Sequence, residues 1–140
     1  MECNRGVTLV EALVGLALAA AVAGIGAPRL AELVASARLA GSARTVATGL
    51  RLARERALSS DAPVEVRFDV PRGACETRDR SGAVLETRLL PPGVTFVALP
   101  VRGRILFGGL GTAENGTITL AAGARARSVI VNQRGRVRVS

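Results

Sequence analysis

An apolar run near the start of the chain most constrains what this sequence can fold into. The run extends from Val7 to Ala27, 21 residues in all, and Glu11 is the only charged residue within it. Because an α-helix rises about 1.5 Å per residue, the run spans roughly 30 Å as a helix, which is enough to cross a bilayer. The sequence therefore predicts a membrane-spanning helix.

The apolar run differs from a secretory signal peptide in what surrounds it. The residues before it carry one arginine, Arg5, against Glu2, and no small-residue cleavage site follows the run. The break in the pattern comes before the run instead, at Gly6. We therefore interpret the run as an anchor and not as a cleaved signal.

Glu11 is the unusual residue of this segment. A carboxylate inside hydrocarbon costs on the order of 3 kcal/mol, so an ionisable residue there predicts a function and a partner. The best partner is a cation at a chain start. The alternative is a plain single-pass anchor in which Glu11 lies near the headgroups at the cytoplasmic end.

Residues 5–11, Arg-Gly-Val-Thr-Leu-Val-Glu, with the uncharged run and Pro28, resemble the class III leader of type IV pilins and type II secretion pseudopilins. The resemblance implies a prepilin peptidase/methyltransferase that cleaves after Gly6 and methylates the new amino terminus at Val7. It also implies that Glu11, fifth in the mature chain, pairs with the Val7 amine of an adjacent subunit. Pro28, the twenty-second, is the family's other marked assembly position. Val7 is a departure, because the family usually has phenylalanine there.

From Leu30 to Ala57 the sequence becomes amphipathic, with apolar residues three and four positions apart. This pattern predicts that the helix continues beyond the anchor and ends at the stretch 59–63, Ser-Ser-Asp-Ala-Pro. The apolar stripe that must be buried comprises Leu39, Ala43, Val46, Leu50, Ala53 and Ala57.

Alternating residues and turn sequences predict about seven short strands after this helix. We expect them at residues 64–69, 84–89, 94–99, 104–107, 117–120, 128–131 and 136–139, with Asn115-Gly116 as a hairpin turn. The predicted fold is α+β, with a long N-terminal helix packed against a C-terminal antiparallel β-sheet or sandwich. The expected division is a leader (1–6), a transmembrane and assembly helix (7–28), an amphipathic helix (29–60) and a globular β domain (61–140).

The second half of the chain is similar to the GspH/FimT group of minor pilins and pseudopilins. The resemblance lies in residues 50–57 leading into residues 61–64, the glycine-punctuated run 107–120 and the closing strand from Gly135. The family resemblance thus covers nearly the whole chain. The chain has no Trp or Tyr, whereas many members carry aromatic residues in the first strands.

The composition argues against an enzyme. The chain has no histidine, and cleavage after Gly6 would remove Cys3 and leave Cys75 as a single thiol with nothing to activate it. Its carboxylates are scattered singly, so we expect no metal site and no cofactor.

The charge is strongly basic, with 19 arginines against 11 acids and a net charge of +8. Such a balance favours anionic partners, such as phospholipid headgroups, nucleic acid or an acidic face of another subunit. Biased codon usage is the alternative explanation for a chain that contains arginine but no lysine.

The C-terminus carries Arg134, Arg136 and Arg138 at alternate positions. Guanidinium groups grip phosphate oxygens in pairs, so these arginines are candidates for binding a DNA backbone without reading bases. DNA-uptake minor pilins of the FimT kind carry a similar Gly-Arg-x-Arg ending. Arg125 and Arg127 are candidates for the same surface. The alternatives are a solvated strand face or a contact with a neighbouring subunit.

We therefore predict a minor pilin or pseudopilin, a structural subunit of a type II secretion pseudopilus or a type IV pilus. Its expected partners are other pilin or pseudopilin subunits, the prepilin peptidase/methyltransferase and inner-membrane lipid. The expected location is the bacterial inner membrane, with a single pass and the C-terminal domain in the periplasm. A FimT-like DNA-binding minor pilin for DNA uptake is the alternative function.

Overall fold

The computed structural model describes residues 8–140, with the side chains of residues 25–28 left out. Over this range the chain forms one helix followed by eight strands. The elements are α1 (Leu9–Ser60), β1 (Val64–Asp69), β2 (Ala74–Arg78), β3 (Val84–Leu89), β4 (Thr95–Ala98), β5 (Arg104–Phe107), β6 (Gly116–Ala122), β7 (Arg125–Val131) and β8 (Val137–Val139). The chain divides into two compact units, Met1–Val34 and Ala35–Ser140.

The N-terminal unit contains the first part of α1, and its large apolar side chains are exposed. Leu9, Leu16 and Val22 each expose more than 70% of their surface (76%, 73% and 72%). Leaving this much apolar surface in water is unfavourable, at about 25 cal/mol per Å². Among residues 8–140, α1 is the one helix long and apolar enough to cross a membrane.

The C-terminal unit is built around the rest of α1. Helix residues three and four positions apart turn one stripe inward, and all six residues predicted for this stripe are buried. Leu50, Ala53 and Ala57 have no exposed surface. Together with apolar residues of both sheets, the stripe forms one continuous core. This arrangement confirms the predicted α+β class.

The strands form two four-stranded antiparallel sheets. The first has the order β3-β2-β1-β5 and the second has the order β4-β6-β7-β8. In the second sheet, β8 is an edge strand and pairs with the end of β7, so that Arg138 lies opposite Ile130 and Val137 opposite Val131. This pairing ties the C-terminus of the chain to the core.

Most strands lie where the alternating pattern predicts them. β1, β3 and β5 have the predicted bounds, and the other four predicted strands differ by one to three residues at their ends. The prediction missed β2, which pairs with both β1 and β3. Its sequence, Ala-Cys-Glu-Thr-Arg, lacks the regular alternation of large apolar residues that marked the others.

The prediction of a hairpin turn at Asn115-Gly116 is wrong. Gly116 is the first residue of β6, and β6 pairs with β4 and β7 rather than with the strand before it. A side chain at Gly116 would run into Ile105 and into Pro100, whose Cγ would lie 2.7 Å from the added Cβ. The glycine therefore permits close packing here and does not form a turn.

Candidate functional site

The start of α1 is fixed by a hydrogen bond that the sequence encodes. The hydroxyl oxygen of Thr8 accepts a hydrogen bond from the backbone N–H of Glu11, at 3.2 Å. Thr8 is thus the N-cap, and Glu11 occupies the third helical position, where an acidic residue also suits the helix dipole. The spacing Thr-x-x-Glu is that of a capping box, a signal that our sequence analysis overlooked.

Glu11 lies in the first turn of this helix among exposed apolar side chains, including Leu9, Val10, Leu13 and Val14. Within residues 8–140 its carboxylate forms no ion pair. The predicted cleavage site, Gly6, and the predicted methylation site, Val7, lie outside the described residues.

Pro28, the other predicted assembly position, falls within α1. It belongs to the stretch 25–28, whose side chains lie outside the description. Its proposed part in assembly stays a prediction.

The three C-terminal arginines are all exposed. A turn between β7 and β8 presents two of them, and the side chain of Asn132 holds this turn by accepting hydrogen bonds from the backbone N–H groups of Arg134 (3.1 Å) and Arg136 (2.9 Å). Arg138 follows in β8. None of the three forms an ion pair with a carboxylate of residues 8–140.

These arginines do not form one row. Arg136 lines a cavity of about 330 Å³ beside the helix, which we call the arginine pocket; its lining residues are Arg51, Arg54, Glu55, Gly135, Arg136 and Val137. Arg134 lines a different depression with Asn115, Asn132 and Gln133. Arg138 shares the outer face of the sheet with its partner Ile130, since Val129 and Val131 on either side are buried.

Arg51 and Arg54 reach the arginine pocket from the helix. The guanidinium of Arg51 donates a hydrogen bond to the backbone carbonyl of Val137 at 3.3 Å, and that of Arg54 donates to the carbonyl of Gly111 at 3.3 Å. Each guanidinium has five N–H donors, so both keep donors for a further partner. Their meeting with Arg136 could not be read from the sequence, because more than 80 residues separate them.

The structure does not place Arg125 and Arg127 with Arg138. Arg127 pairs with the buried Leu120, so it lies on the side of the sheet that faces the helix. Arg125 donates a hydrogen bond to the hydroxyl of Ser36 on α1, at 3.1 Å. The proposed common surface is therefore wrong, because strand alternation puts these arginines on the opposite face from Arg138.

Seven other arginines of the C-terminal unit form ion pairs with carboxylates. Glu65 accepts hydrogen bonds from Arg104 (2.5 Å) and Arg67 (3.0 Å). Burial raises the pKa of Glu65, but the hydrogen bonds and charges of the two arginines outweigh it and hold the pKa below its usual value. Similar ion pairs are Arg56–Glu86, Arg88–Glu86, Arg72–Glu76, Arg78–Glu76 and Arg102–Glu114.

Cys75 is buried in β2. Burial raises the pKa of its thiol to about 12, and the nearby Arg88 only partly opposes this. The thiol therefore stays protonated at neutral pH and packs as a small apolar side chain. Among the described residues no three His, Cys, Asp or Glu side chains group as a metal site requires.

A long N-terminal helix on two antiparallel sheets is the fold of minor pilins and pseudopilins. The structure is similar to that of the type IV minor pilin FimU of Pseudomonas aeruginosa, with a TM-score of 0.62 and 18% identity over 73% of this chain and 87% of that chain. It is also similar to the minor pseudopilin EpsH of Vibrio cholerae, with a TM-score of 0.60 and 16% identity over 74% of this chain and 96% of that chain.

The sequence identifies the family within this class. Residues 42–135, about two thirds of the chain, match the family described as type II transport protein GspH. The chain therefore belongs to the GspH family. A search of curated proteins found no match.

Proposed function

We propose that this protein is a non-enzymatic minor pilin or pseudopilin that assembles through α1 into a short filament or its tip. The filament is a type II secretion pseudopilus or a type IV pilus, and the protein supports protein secretion or pilus biogenesis. Other pilin or pseudopilin subunits are then its direct partners.

The observation that carries this proposal is the isolation of Glu11. It is a single carboxylate in the first turn of a helix whose exposed side chains, from Leu9 to Val22, are otherwise apolar. In lipid such a carboxylate is costly unless a cation neutralises it. We propose that the cation is the methylated Val7 amine of an adjacent subunit, formed after a prepilin peptidase/methyltransferase cleaves behind Gly6.

The proposal also includes the location of the protein. The stretch 7–28 crosses the inner membrane once in contact with lipid, and Pro28 contributes to packing in the filament. The amphipathic stretch 29–60 and the β domain 61–140 then stand in the periplasm.

The direct test is the variant Glu11→Ala in the native host. We expect it to insert into the membrane normally and to disappear from sheared filaments, as measured by immunoblotting of the membrane and sheared fractions. Glu32→Ala is the matched control, since it removes an exposed glutamate from the same helix and should leave the filament signal unchanged.

Two results would contradict the proposal. If Glu11→Ala protein enters filaments as the wild type does, Glu11 has no part in assembly. If neither wild-type nor Glu32→Ala protein ever appears in filaments, the protein is a plain single-pass anchor with a β domain.

DNA binding is the second candidate function, and it rests on the exposed arginines Arg134, Arg136 and Arg138. Their charges are not paired within residues 8–140 and are open to a phosphate backbone. If they hold DNA together, the affinity for a short duplex should fall steeply with salt, and replacing any one by Gln should lower the salt slope by about 1. An affinity that is independent of salt and of all three replacements would exclude this function.

A further inference from the structure

Three arginines that form no ion pair within residues 8–140 meet at the arginine pocket. Seven other arginines form ion pairs with four glutamates, whereas Arg51, Arg54 and Arg136 form none among residues 8–140. Glu55 adds one negative charge to the lining. Three positive charges against one leave a net charge of +2 in a cavity of about 330 Å³.

The pocket is held in shape from two sides. Hydrogen bonds from Arg51 and Arg54 to backbone carbonyls join the helix to β8 and to the segment at Gly111. Gly135 leaves room for the side chain of Arg54, since a Cβ atom at position 135 would lie 2.5 Å from the Nε atom of Arg54. The helix arginines are therefore positioned before any ligand arrives, which lowers the entropic cost of binding.

The chemistry of this lining fits a carboxylate. Guanidinium groups match carboxylate and phosphate oxygens as paired donors, and their bonds to charged oxygens are the strong ones. Glu55 favours a peptide over DNA as the ligand, because its carboxylate needs a hydrogen-bond donor. A peptide brings backbone N–H groups that can donate hydrogen bonds to Glu55, whereas a DNA phosphodiester backbone presents acceptors only.

Two further observations favour a polypeptide over nucleic acid at this place. All three phenylalanines (Phe68, Phe96 and Phe107) are buried, and the chain has no Trp or Tyr, so no aromatic surface is available to stack bases. Arg138 lies on the outer sheet face and Arg134 lines a separate depression. The arginine pocket thus presents a compact anion site instead of a continuous basic track.

We propose that the arginine pocket receives an acidic side chain from a neighbouring filament subunit. The carboxylate accepts hydrogen bonds from Arg51 and Arg136, Arg54 adds its positive charge, and Glu55 accepts a hydrogen bond from a backbone N–H of the incoming segment. The identity of the partner as a filament subunit rests on the proposed function, whereas the preference of the pocket for a peptide carboxylate does not.

The test uses the full chain in nonionic detergent and a fluorescein-labelled hexaglutamate peptide, with binding followed by fluorescence anisotropy at constant salt. Arg136→Gln and Arg138→Gln are a matched pair, two residues apart with the same change in charge. We expect Arg136→Gln to weaken peptide binding about tenfold or more and Arg138→Gln less than twofold. Arg51→Gln should behave like Arg136→Gln, and Glu11→Ala should bind as the wild type does, whatever its effect on assembly.

A DNA duplex of about one helical turn serves as the second probe. Equal losses of peptide affinity in Arg136→Gln and Arg138→Gln, or no loss in either, would overturn the assignment. Peptide binding would then depend on the overall positive charge of the protein and not on the arginine pocket. Tighter binding of the duplex than of the peptide, with Arg136→Gln and Arg138→Gln weakening it equally, would overturn it in favour of a nucleic-acid surface. The side chain of Arg136 makes no hydrogen bond within residues 8–140, so this variant should fold normally.

Discussion

Gly135 lies directly against the side chain of Arg54. A Cβ atom at Gly135 would stand 2.5 Å from Nε of Arg54 and 2.6 Å from the carbonyl oxygen of Gly111, and the backbone of Gly135 has a φ of +69°. Real Cβ contacts are not this short, and side-chain-bearing residues rarely adopt this φ. The turn before β8 and the arginine pocket therefore require a glycine at this position.

Gly135→Ala should destabilise the C-terminal unit by about 2–4 kcal/mol, because the strain of a left-handed backbone adds to the steric clash of the new Cβ atom. The measurement is the urea midpoint of the detergent-solubilised protein, followed by circular dichroism. Gly123→Ala is the control, since Gly123 has a φ of +60° and nothing within 4 Å, and it should cost about 1 kcal/mol. Equal costs for the two variants would show that Arg54 does not constrain Gly135.

Thr8 should control the order of the first turn of α1. Thr8→Val keeps the shape of the side chain but removes the acceptor for the Glu11 N–H, which should cost about 1 kcal/mol of helix-start stability. We expect amide hydrogen exchange at Glu11 to become about five- to tenfold faster in micelles, whereas Thr8→Ser should stay close to the wild type. An exchange rate that Thr8→Val leaves unchanged would mean that the hydroxyl does not cap the helix.

Glu65 should make stability depend on acid. Because its pKa in the folded protein is lowered, its ion pairs stabilise the fold above the unfolded pKa of about 4.5 and are lost as pH falls through the lower, folded value. Glu65→Gln should therefore cost about 1–3 kcal/mol at pH 7, and this difference should shrink below about pH 4.5. Urea midpoints at neutral and acidic pH measure it.

Glu32→Gln is the matched change of charge, since Glu32 is exposed and has no ion pair within residues 8–140. It should change the stability at pH 7 by less than about 0.5 kcal/mol. A Glu65→Gln protein that keeps the full acid dependence of the wild type would assign that dependence to other carboxylates.

The sequence predicted the elements that local patterns specify. The stripe from Leu39 to Ala57 could be found because helical spacing alone selects it, and β1, β3 and β5 could be found because apolar and polar residues alternate between turn sequences. β2 carries no such pattern, and its place between β1 and β3 depends on pairing over the sheet.

The candidate sites show the same difference between features that a local sequence pattern specifies and features that depend on long-range contacts. Glu11 stood out because a charge in an apolar run is a local signal. The arginine pocket did not, because only the folding of β8 against α1 brings Arg136 to Arg51 and Arg54. Arg125 and Arg127 were expected to precede the strand at 128–131, whereas β7 begins at Arg125, so strand alternation puts both on the face opposite to Arg138.

The central claim is that this chain is processed and assembled as a pilin-like subunit, and the intact mass of the protein purified from its native membrane tests it most directly. We predict a mass that corresponds to the loss of residues 1–6 and the gain of one methyl group on Val7. An unprocessed chain that still begins at Met1 would contradict the claim, because the Val7 amine proposed to pair with Glu11 would not exist.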